Sequence, residues 1–204
     1  MLEASDLDCQ RGGRALFRNL SFALRGGELL RVAGANGSGK TSLLKILCGL
    51  LTPDQGEVRW RGESIRRLRE DYARNVVYLG HAPAVKDDLT AAENLSIACT
   101  LAGLTASPKA ARAALARFDL PAGEIPVRRL SQGQRRRAAL ARLLLSQGVP
   151  LWLLDEPFAA LDASAARLTE ELIASHVAGG GAVAYTTHQE ANIRAGVLRV
   201  VELG

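Results

Sequence analysis

The stretch Gly34-Ala-Asn-Gly-Ser-Gly-Lys-Thr41 is the most informative part of this chain, because it matches G-x-x-x-x-G-K-[ST] at every fixed position. Residues 28–33, Glu-Leu-Leu-Arg-Val-Ala, precede it as a short apolar strand. Residues 42–49, Ser-Leu-Leu-Lys-Ile-Leu-Cys-Gly, follow it with helical composition and a glycine stop. A phosphate-binding loop requires this context of strand, loop and helix. The stretch therefore predicts a site for ATP or GTP.

Two features of this loop suit it to bind phosphate. Its three glycines let successive backbone N–H groups turn inward, and the positive end of the following helix points at the same anion. We expect Lys40 to reach the β- and γ-phosphates and the Thr41 hydroxyl to hold Mg²⁺. The residues predicted to bind the nucleotide are Gly34, Ala35, Asn36, Gly37, Ser38, Gly39, Lys40 and Thr41.

Two adjacent acids form the second motif. Asp155 and Glu156 follow the apolar run Leu151-Trp-Leu-Leu154, which we interpret as a short buried strand. At the end of such a strand, Asp155 is placed to hold Mg²⁺ and Glu156 to polarise the attacking water. An acidic pair at a strand end can also be merely solvated. The phosphate-binding loop elsewhere in the chain favours the catalytic interpretation.

The third motif is Leu130-Ser-Gln-Gly-Gln134, followed by an arginine-rich helix predicted over residues 135–145. Read alone, it is a serine helix cap. With all three motifs in this order and at this spacing, the chain resembles the ATP-binding-cassette (ABC) ATPases. Their signature is L-S-G-G-Q, and this chain departs from it only at Gln132. The resemblance implies that the signature begins a helix and closes over ATP bound by a partner subunit. Ser131 and Gly133 would then act in trans, in a homodimer with two sandwiched nucleotides.

Two further positions match the family. Asp162, after Phe158-Ala-Ala-Leu161, resembles the D-loop residue that couples the two nucleotide sites. His188, after the strand predicted over residues 182–187, resembles the switch histidine that contacts the γ-phosphate and orients water with Glu156. A lone histidine is more often structural, and its position after the D-loop reverses that judgement. His176 lacks such a context, so we expect it to be solvated near the end of a helix that starts at about Ser164.

The chain departs from the family where relatives carry the Q-loop glutamine. Val77-Tyr-Leu-Gly-His81 puts a histidine there, which can still reach water or metal through one ring nitrogen. Protonation of His81 would add positive charge beside Mg²⁺, so the ATPase activity is expected to depend on pH. The alternative is that His81 only fills a loop.

A second departure concerns adenine. Many relatives stack an aromatic ring on the base near position 11, where this chain has Arg11, with Phe17 as the closest aromatic residue. A guanidinium plane can stack on a base, but with less preference for adenine. Base selectivity is therefore an open question at this point.

The Tyr-Leu-Gly-His variant, the chain length, the opening Met-Leu-Glu-Ala and Leu24-Arg-Gly-Gly-Glu28 resemble one subfamily. It comprises the ATP-binding subunits of cytochrome c maturation systems, also called haem exporters. The resemblance implies a peripheral ATPase on the cytoplasmic face of the bacterial inner membrane, bound to integral membrane subunits. Its ATP hydrolysis would power haem export or release of a haem-loaded chaperone.

Composition agrees with one globular domain spanning residues 1–204. Hydrophobic residues make up 48% and charged residues 23%, as is ordinary for a domain of 204 residues. The sequence has no apolar run near the roughly 20 residues that span a bilayer, and its acidic start does not resemble a secretory signal. We therefore expect membrane contact only through partners. The separated Cys9, Cys48 and Cys99 favour reduced thiols over zinc or disulfides.

The net charge of +5 raises the question of nucleic acid. Arginines cluster around the signature, where phosphate is expected, and only 4% of residues are aromatic, which disfavours a stacking platform for single strands. We predict no nucleic-acid partner.

The predicted fold class is α/β, with the P-loop core of an ABC ATPase. Short antiparallel strands over residues 2–26 and the segment Gly56–Trp60 form an N-terminal β subdomain. Alanine, leucine and arginine with Pro108, Pro121 and Pro126 as breaks mark a helical insert at about 89–129, which in the family docks the membrane subunits. Residues 130–204 alternate helix and strand and end in an edge-like strand over residues 197–203.

Two alternatives stay open. Another ABC transporter subunit, for ions, lipids or drugs, would differ only in its partner, and His81 is the main feature against it. A nucleic-acid-maintenance ATPase would need a coiled-coil or DNA-binding insert between Thr41 and Leu130. The 88 residues from Ser42 to Arg129 contain no heptads, so we do not favour it.

Overall fold

The computed structural model describes residues 1–120, 125–188, 191–194 and 196–204. Within these ranges the strands are β1 (Leu2–Arg11), β2 (Arg14–Leu24), β3 (Glu28–Gly34), β4 (Gln55–Trp60), β5 (Glu63–Ser64), β6 (Val76–Leu79), β7 (Leu151–Leu154), β8 (Ala182–Thr186) and β9 (Val197–Leu203). The helices are α1 (Lys40–Leu47), α2 (Ile65–Leu68), α3 (Glu70–Ala73), α4 (Ala91–Leu101), α5 (Pro108–Arg117), α6 (Gln132–Leu140), α7 (Arg142–Leu145) and α8 (Ala163–Ala178), with a 3₁₀ turn at Val127–Arg129.

The N-terminal strands form an antiparallel sheet in the order β2-β1-β4-β5. β1 pairs with both neighbours, so that Leu2 lies opposite Leu24 on one side and Trp60 on the other. Leu2, Leu24 and Trp60 are buried, because a half-covered sheet turns its apolar side chains toward the core. The predicted antiparallel β subdomain is confirmed.

The second sheet is parallel throughout, in the order β6-β7-β8-β3-β9. Every residue of β7 and β8 is buried, as expected for central strands covered on both faces. The carboxyl ends of parallel strands meet at one edge of the sheet, where α/β proteins bind their ligands. The segments after β3, β6, β7 and β8 therefore converge. The prediction of β9 as an edge strand is confirmed.

Helices α4 and α5 occupy the region predicted as a helical insert. Thr90 and Glu93 form a reciprocal capping box that starts α4. Pro108 takes the first position of α5 after the Ser107 cap, so it begins a helix rather than breaking one. Pro121 lies outside the described residues. Within the part of the chain that is described, no helix is long and apolar enough to cross a membrane.

The single helix predicted over residues 135–145 is wrong. The signature segment starts α6 at Gln132, and the helix ends at Leu140 before α7 begins at Arg142. At the junction the Leu144 N–H donates to the Ala141 carbonyl, a tighter bond than the α-helical one.

The prediction that His176 is solvated is also wrong. Only 4% of His176 is exposed, and its ring stacks on Trp152 of β7, with centroids 3.8 Å apart and 4° between the planes. The ring is buried because α8 packs its inner face on the sheet. Burial lowers the pKa of His176 to about 4, and a hydrogen bond with the Pro150 backbone opposes the shift.

Candidate nucleotide-binding site

A cleft of about 580 Å³ opens at the carboxyl edge of the parallel sheet. It brings together all four predicted catalytic residues, which come from separate loops. Its lining residues are Leu16, Asn36, Gly37, Gly39, Lys40, Thr41, Ser42, His81, Asp155, Glu156, Ala159 and His188.

The loop from Gly34 to Thr41 curls around the buried Lys40. The Lys40 Nζ donates to the carbonyls of Gly34 (2.8 Å) and Ala35 (2.9 Å). Gly34 has φ 139°, and a Cβ there would lie 2.3 Å from the Leu203 carbonyl oxygen, so only glycine fits. α1 starts without a side-chain cap, which leaves its first backbone N–H groups available to an anion.

Asp155 is placed to bind a cation. It is 1% exposed, and its Oδ1 accepts a hydrogen bond from the Thr186 hydroxyl at 2.7 Å. Its buried Oδ2 has no partner among the described residues. An unpartnered buried carboxylate oxygen is costly unless a ligand completes it. With the Thr41 hydroxyl lining the same cleft, these oxygens are the hard ligands that Mg²⁺ prefers.

Glu156 lies beside His188. The His188 Nε2 is 3.2 Å from Glu156 Oε1, and the His188 backbone N–H donates to Oε2 at 3.2 Å. Glu156 has φ 51°, a left-handed conformation that is uncommon outside glycine. Its own N–H donates to the Thr186 hydroxyl at 2.9 Å, so Thr186 contacts both acids of the pair.

His81 is exposed and lines the cleft, so the structure brings it into the predicted site. Its backbone carbonyl accepts a hydrogen bond from Arg136 of α6 at 3.2 Å. Arg136 also donates to the carbonyls of Gly80, Asp155 and Glu156. Burial lowers the pKa of the Arg136 guanidinium, and the Asp155 and Glu156 carboxylates oppose that shift.

Neither residue considered for adenine stacking lines the cleft. Arg11 folds back to its neighbour, where its Nη1 donates to the Gln10 carbonyl at 2.9 Å. Phe17 is only 7% exposed and belongs to the core below the antiparallel sheet. Leu16 lines the cleft instead. The cleft is thus lined by an aliphatic side chain of β2 rather than by Arg11 or Phe17.

The residues predicted to act in trans, Ser131 and Gly133, and the predicted coupling residue Asp162 lie outside this cleft. Ser131 caps α6, accepting from the Gln134 N–H at 3.2 Å while the Gln134 side chain accepts from the Ser131 N–H. Asp162 caps α8, and its second oxygen is 3.5 Å from Arg137. Neither residue, nor Gly133, reaches the nucleotide cleft of its own chain.

Comparison with known proteins now assigns the family. The ABC transporter family model matches residues 17–159. A cytochrome c biogenesis ATP-binding export protein CcmA from Nitrosomonas europaea is 53% identical over 93% of this chain and 89% of its own. A protein of that name from Nitrosospira multiformis is 50% identical over 99% and 98%. The chain belongs to the ABC transporter family, among its cytochrome c biogenesis ATP-binding export proteins.

Solved ABC structures share the fold. One, described as the ATP-binding subunit of an ABC transporter, is 25% identical with a TM-score of 0.86 and covers this whole chain and 88% of its own. Another is an ABC cassette dimer in a post-hydrolysis state with ADP and Pi. It is 24% identical with a TM-score of 0.85, over the whole chain and 94% of its own. The ABC ATPase fold class is confirmed, and the chain is an ATP-binding ATPase of this type.

Sequence reasoning missed Arg136, Thr186 and Leu16. Arg136 was grouped with its neighbours as a basic flank of the signature, and nothing in the sequence separates it from Arg135 and Arg137. One sequence feature could have identified Thr186, since a hydroxyl at the end of a buried strand needs a hydrogen-bond partner. Leu16 belongs to no motif that could have identified it.

Proposed function

We propose that this chain is the ATP-hydrolysing subunit of a membrane ABC complex in cytochrome c biogenesis. ATP hydrolysis by this subunit would power haem export or the release of a haem-loaded chaperone. The observation that carries the proposal is the Glu156–His188 pair facing the Lys40 loop in one cleft, in a chain about half identical to proteins of that name.

The cleft residues divide the chemistry among them. Lys40 turns from the Gly34 and Ala35 carbonyls to the β- and γ-phosphates, while the free N–H groups at the start of α1 bind phosphate oxygens. Glu156 accepts a hydrogen bond from the attacking water and aligns it with the γ-phosphate. His188, held by Glu156, contacts the γ-phosphate, and His81, which lines the same cleft, orients water.

Thr41 and Asp155 are the residues that would hold Mg²⁺. The unpartnered Asp155 Oδ2 supports this assignment. When bound, the ion would neutralise negative charge on the phosphates of the nucleotide.

The whole chain, residues 1–204, acts as one ABC ATPase domain with a helical insert at about 89–129. Two copies enclose two ATP molecules, with Ser131 and Gly133 of each copy facing the nucleotide of the other and Asp162 coupling the two sites. The position of these three residues outside their own cleft supports that arrangement. The dimer would sit at the cytoplasmic face of the bacterial inner membrane, attached through integral membrane subunits.

Affinity purification from native membranes tests the proposal. The tag belongs at the N-terminus, because Leu203 near the other end packs against Gly34 of the phosphate loop. We expect membrane subunits of cytochrome c maturation to co-purify with haem, detected by mass spectrometry and the haem absorption spectrum. ATP added with Mg²⁺ should release a haem-bearing protein from this complex.

The matched control is Glu156→Gln purified in the same way. It should retain the partners and the haem without ATP-dependent release. Recovery of an unrelated permease without haem would overturn the proposed pathway and favour the ion, lipid or drug transporter alternative.

A further inference from the structure

Arg136 makes an unusual set of contacts for a helical arginine. It lies on α6, five residues after the signature serine, and is only 4% exposed. Its Nη1 donates to the carbonyls of Gly80 (2.7 Å) and His81 (3.2 Å). Its Nη2 donates to the carbonyls of Asp155 (2.6 Å) and Glu156 (2.7 Å). One side chain therefore binds the backbone just beyond two neighbouring strands, β6 and β7.

These contacts suit a guanidinium in particular. Its donors lie in one plane and are fixed in direction, so it can bind two pairs of carbonyls at once. Only its Nε lacks a partner among the described residues. A lysine at this position would offer one rotating ammonium and could not span both pairs in the same geometry.

Three of the four carbonyls that Arg136 binds belong to residues that line the cleft. His81 and Glu156 both line it, and Asp155 carries the unpartnered oxygen assigned to the cation. Glu156 is held in its left-handed conformation from two sides, by Thr186 at its N–H and by Arg136 at its carbonyl. Such a conformation persists only where the surrounding structure holds it.

The two neighbouring arginines reach different places. Arg135 donates to Asp87 and to the Arg128 carbonyl, toward the surface of the insert. Arg137 donates to the Phe118 carbonyl and lies 3.5 Å from Asp162. Of these three consecutive arginines, Arg136 alone has hydrogen bonds with the backbone of the cleft.

We propose that Arg136 is a positioning residue for ATP hydrolysis, locking the ends of β6 and β7 to α6 so that Glu156 and His81 keep their places in the cleft. The inference rests on the proposed catalytic role of Glu156. Because α6 starts at the signature, Arg136 also joins the residues that serve the partner's nucleotide to those that hydrolyse the chain's own.

The test compares Arg136→Ala and Arg136→Lys with the wild-type chain, each purified with its membrane partners. We expect kcat of the alanine variant to fall by about 10-fold or more while the KM for ATP changes by less than about 3-fold. The hydrogen bonds of Arg136 to the described residues go to Gly80, His81, Asp155 and Glu156 and not to the phosphate loop. The lysine variant should retain an intermediate kcat. Millimolar guanidinium ion added to the alanine variant should restore part of the lost turnover.

Arg142→Ala is the matched control. Arg142 is a partly buried arginine on α7 whose Nε also lacks a partner among the described residues. We expect it to lower Tm with little change in kcat for the folded protein. The positioning role is refuted if Arg136→Ala keeps the wild-type kcat. It is also refuted if Arg136→Ala and Arg142→Ala lower kcat equally for an equal decrease in Tm.

Hydrogen exchange separates this inference from the proposed function. Arg136→Ala should speed amide exchange at residues 80–82 and 155–158, and Arg142→Ala should leave these segments at the wild-type rate. A wild-type complex without ATPase activity would refute the proposed function, and the exchange rates would still decide whether Arg136 holds both loops. Unchanged exchange at both segments would refute the inference.

Discussion

Glu156 is held by neighbouring residues at both its backbone and its side chain. Thr186 and Arg136 hold its backbone, and His188 contacts both carboxylate oxygens through one ring nitrogen and one backbone N–H. A carboxylate fixed in this way is oriented before any water arrives, which lowers the reorganisation needed in the transition state. The structure thus gives a physical basis for treating Glu156 as the catalytic base.

Glu156→Gln should therefore separate binding from hydrolysis. The amide keeps the shape of the side chain but loses the charge that polarises water. We expect turnover to fall by about 100-fold or more with ATP affinity nearly unchanged. Steady-state ATPase assays and fluorescent-nucleotide titration measure the two quantities. Glu171→Gln, an exposed change on α8, is the control, and normal turnover in Glu156→Gln would remove Glu156 from this role.

His81→Gln tests the departure at the Q-loop. His81 lines the cleft, where one ring nitrogen can hold water as a glutamine side chain does. We expect His81→Gln, which restores the residue that relatives carry, to keep kcat within about 3-fold of the wild-type value, and His81→Ala to lower kcat by about 10-fold. Steady-state ATPase assays of the three proteins measure these values. Equal kcat in all three would show that His81 only fills the loop.

Between β7 and α8, the stacked pair of Trp152 and His176 contributes to the core rather than to the cleft. Gly181 lies directly against the imidazole, where a Cβ would come within 2.2 Å of Nε2. The His176 Nε2 atom is buried and has no hydrogen-bond partner among the described residues, so nothing there would stabilise a proton on it. The buried site therefore favours the neutral form of His176, in agreement with the lowered pKa of this residue.

The burial of His176 predicts that the folded chain becomes less stable as the pH is lowered. The pKa of His176 is lowered to about 4 in the folded chain, so the unfolded chain binds the proton more readily as the pH drops below the ordinary value. We expect the wild-type free energy of unfolding to lose roughly 1 kcal/mol more than that of His176→Phe between about pH 7.5 and 5.5. Urea unfolding at both pH values measures the difference, and equal losses in the two proteins would contradict the prediction.

At the scale of the whole molecule, no residue of the signature 130–134 lines the cleft of its own chain. Ser131 and Gly133 lie at the start of α6, where the Ser131–Gln134 capping box satisfies two backbone N–H groups. The contacts of the signature with ATP would therefore be made to the nucleotide of another copy, in the proposed sandwich dimer.

Gln132→Glu tests the dimer without unfolding the helix. Gln132 is exposed at the first position of α6, where a carboxylate favours the helix dipole. The same negative charge should repel the γ-phosphate of the partner's nucleotide. In a Glu156→Gln background, light scattering should show ATP-dependent dimers that Gln132→Glu weakens by about 10-fold or more, with ATP binding to the monomer unchanged. Gln132→Lys is the charge-reversed control. Equal dimerisation of Glu156→Gln alone, with Gln132→Glu and with Gln132→Lys would contradict the proposed sandwich dimer.

The sequence by itself determined the phosphate loop, the acidic pair, the signature cap and the order of strands and helices around them. These features depend on short spacings and on backbone preferences that neighbouring residues carry. Only the tertiary structure decided that Arg136 binds Gly80, 56 positions away, and Asp155, 19 positions away. It also decided that Thr186 hydrogen-bonds to both acids, that Leu16 rather than Arg11 or Phe17 lines the cleft, and that His176 is buried. Each of these outcomes depends on which strands become neighbours in the sheet, and that information is spread over the whole chain rather than contained in a local pattern.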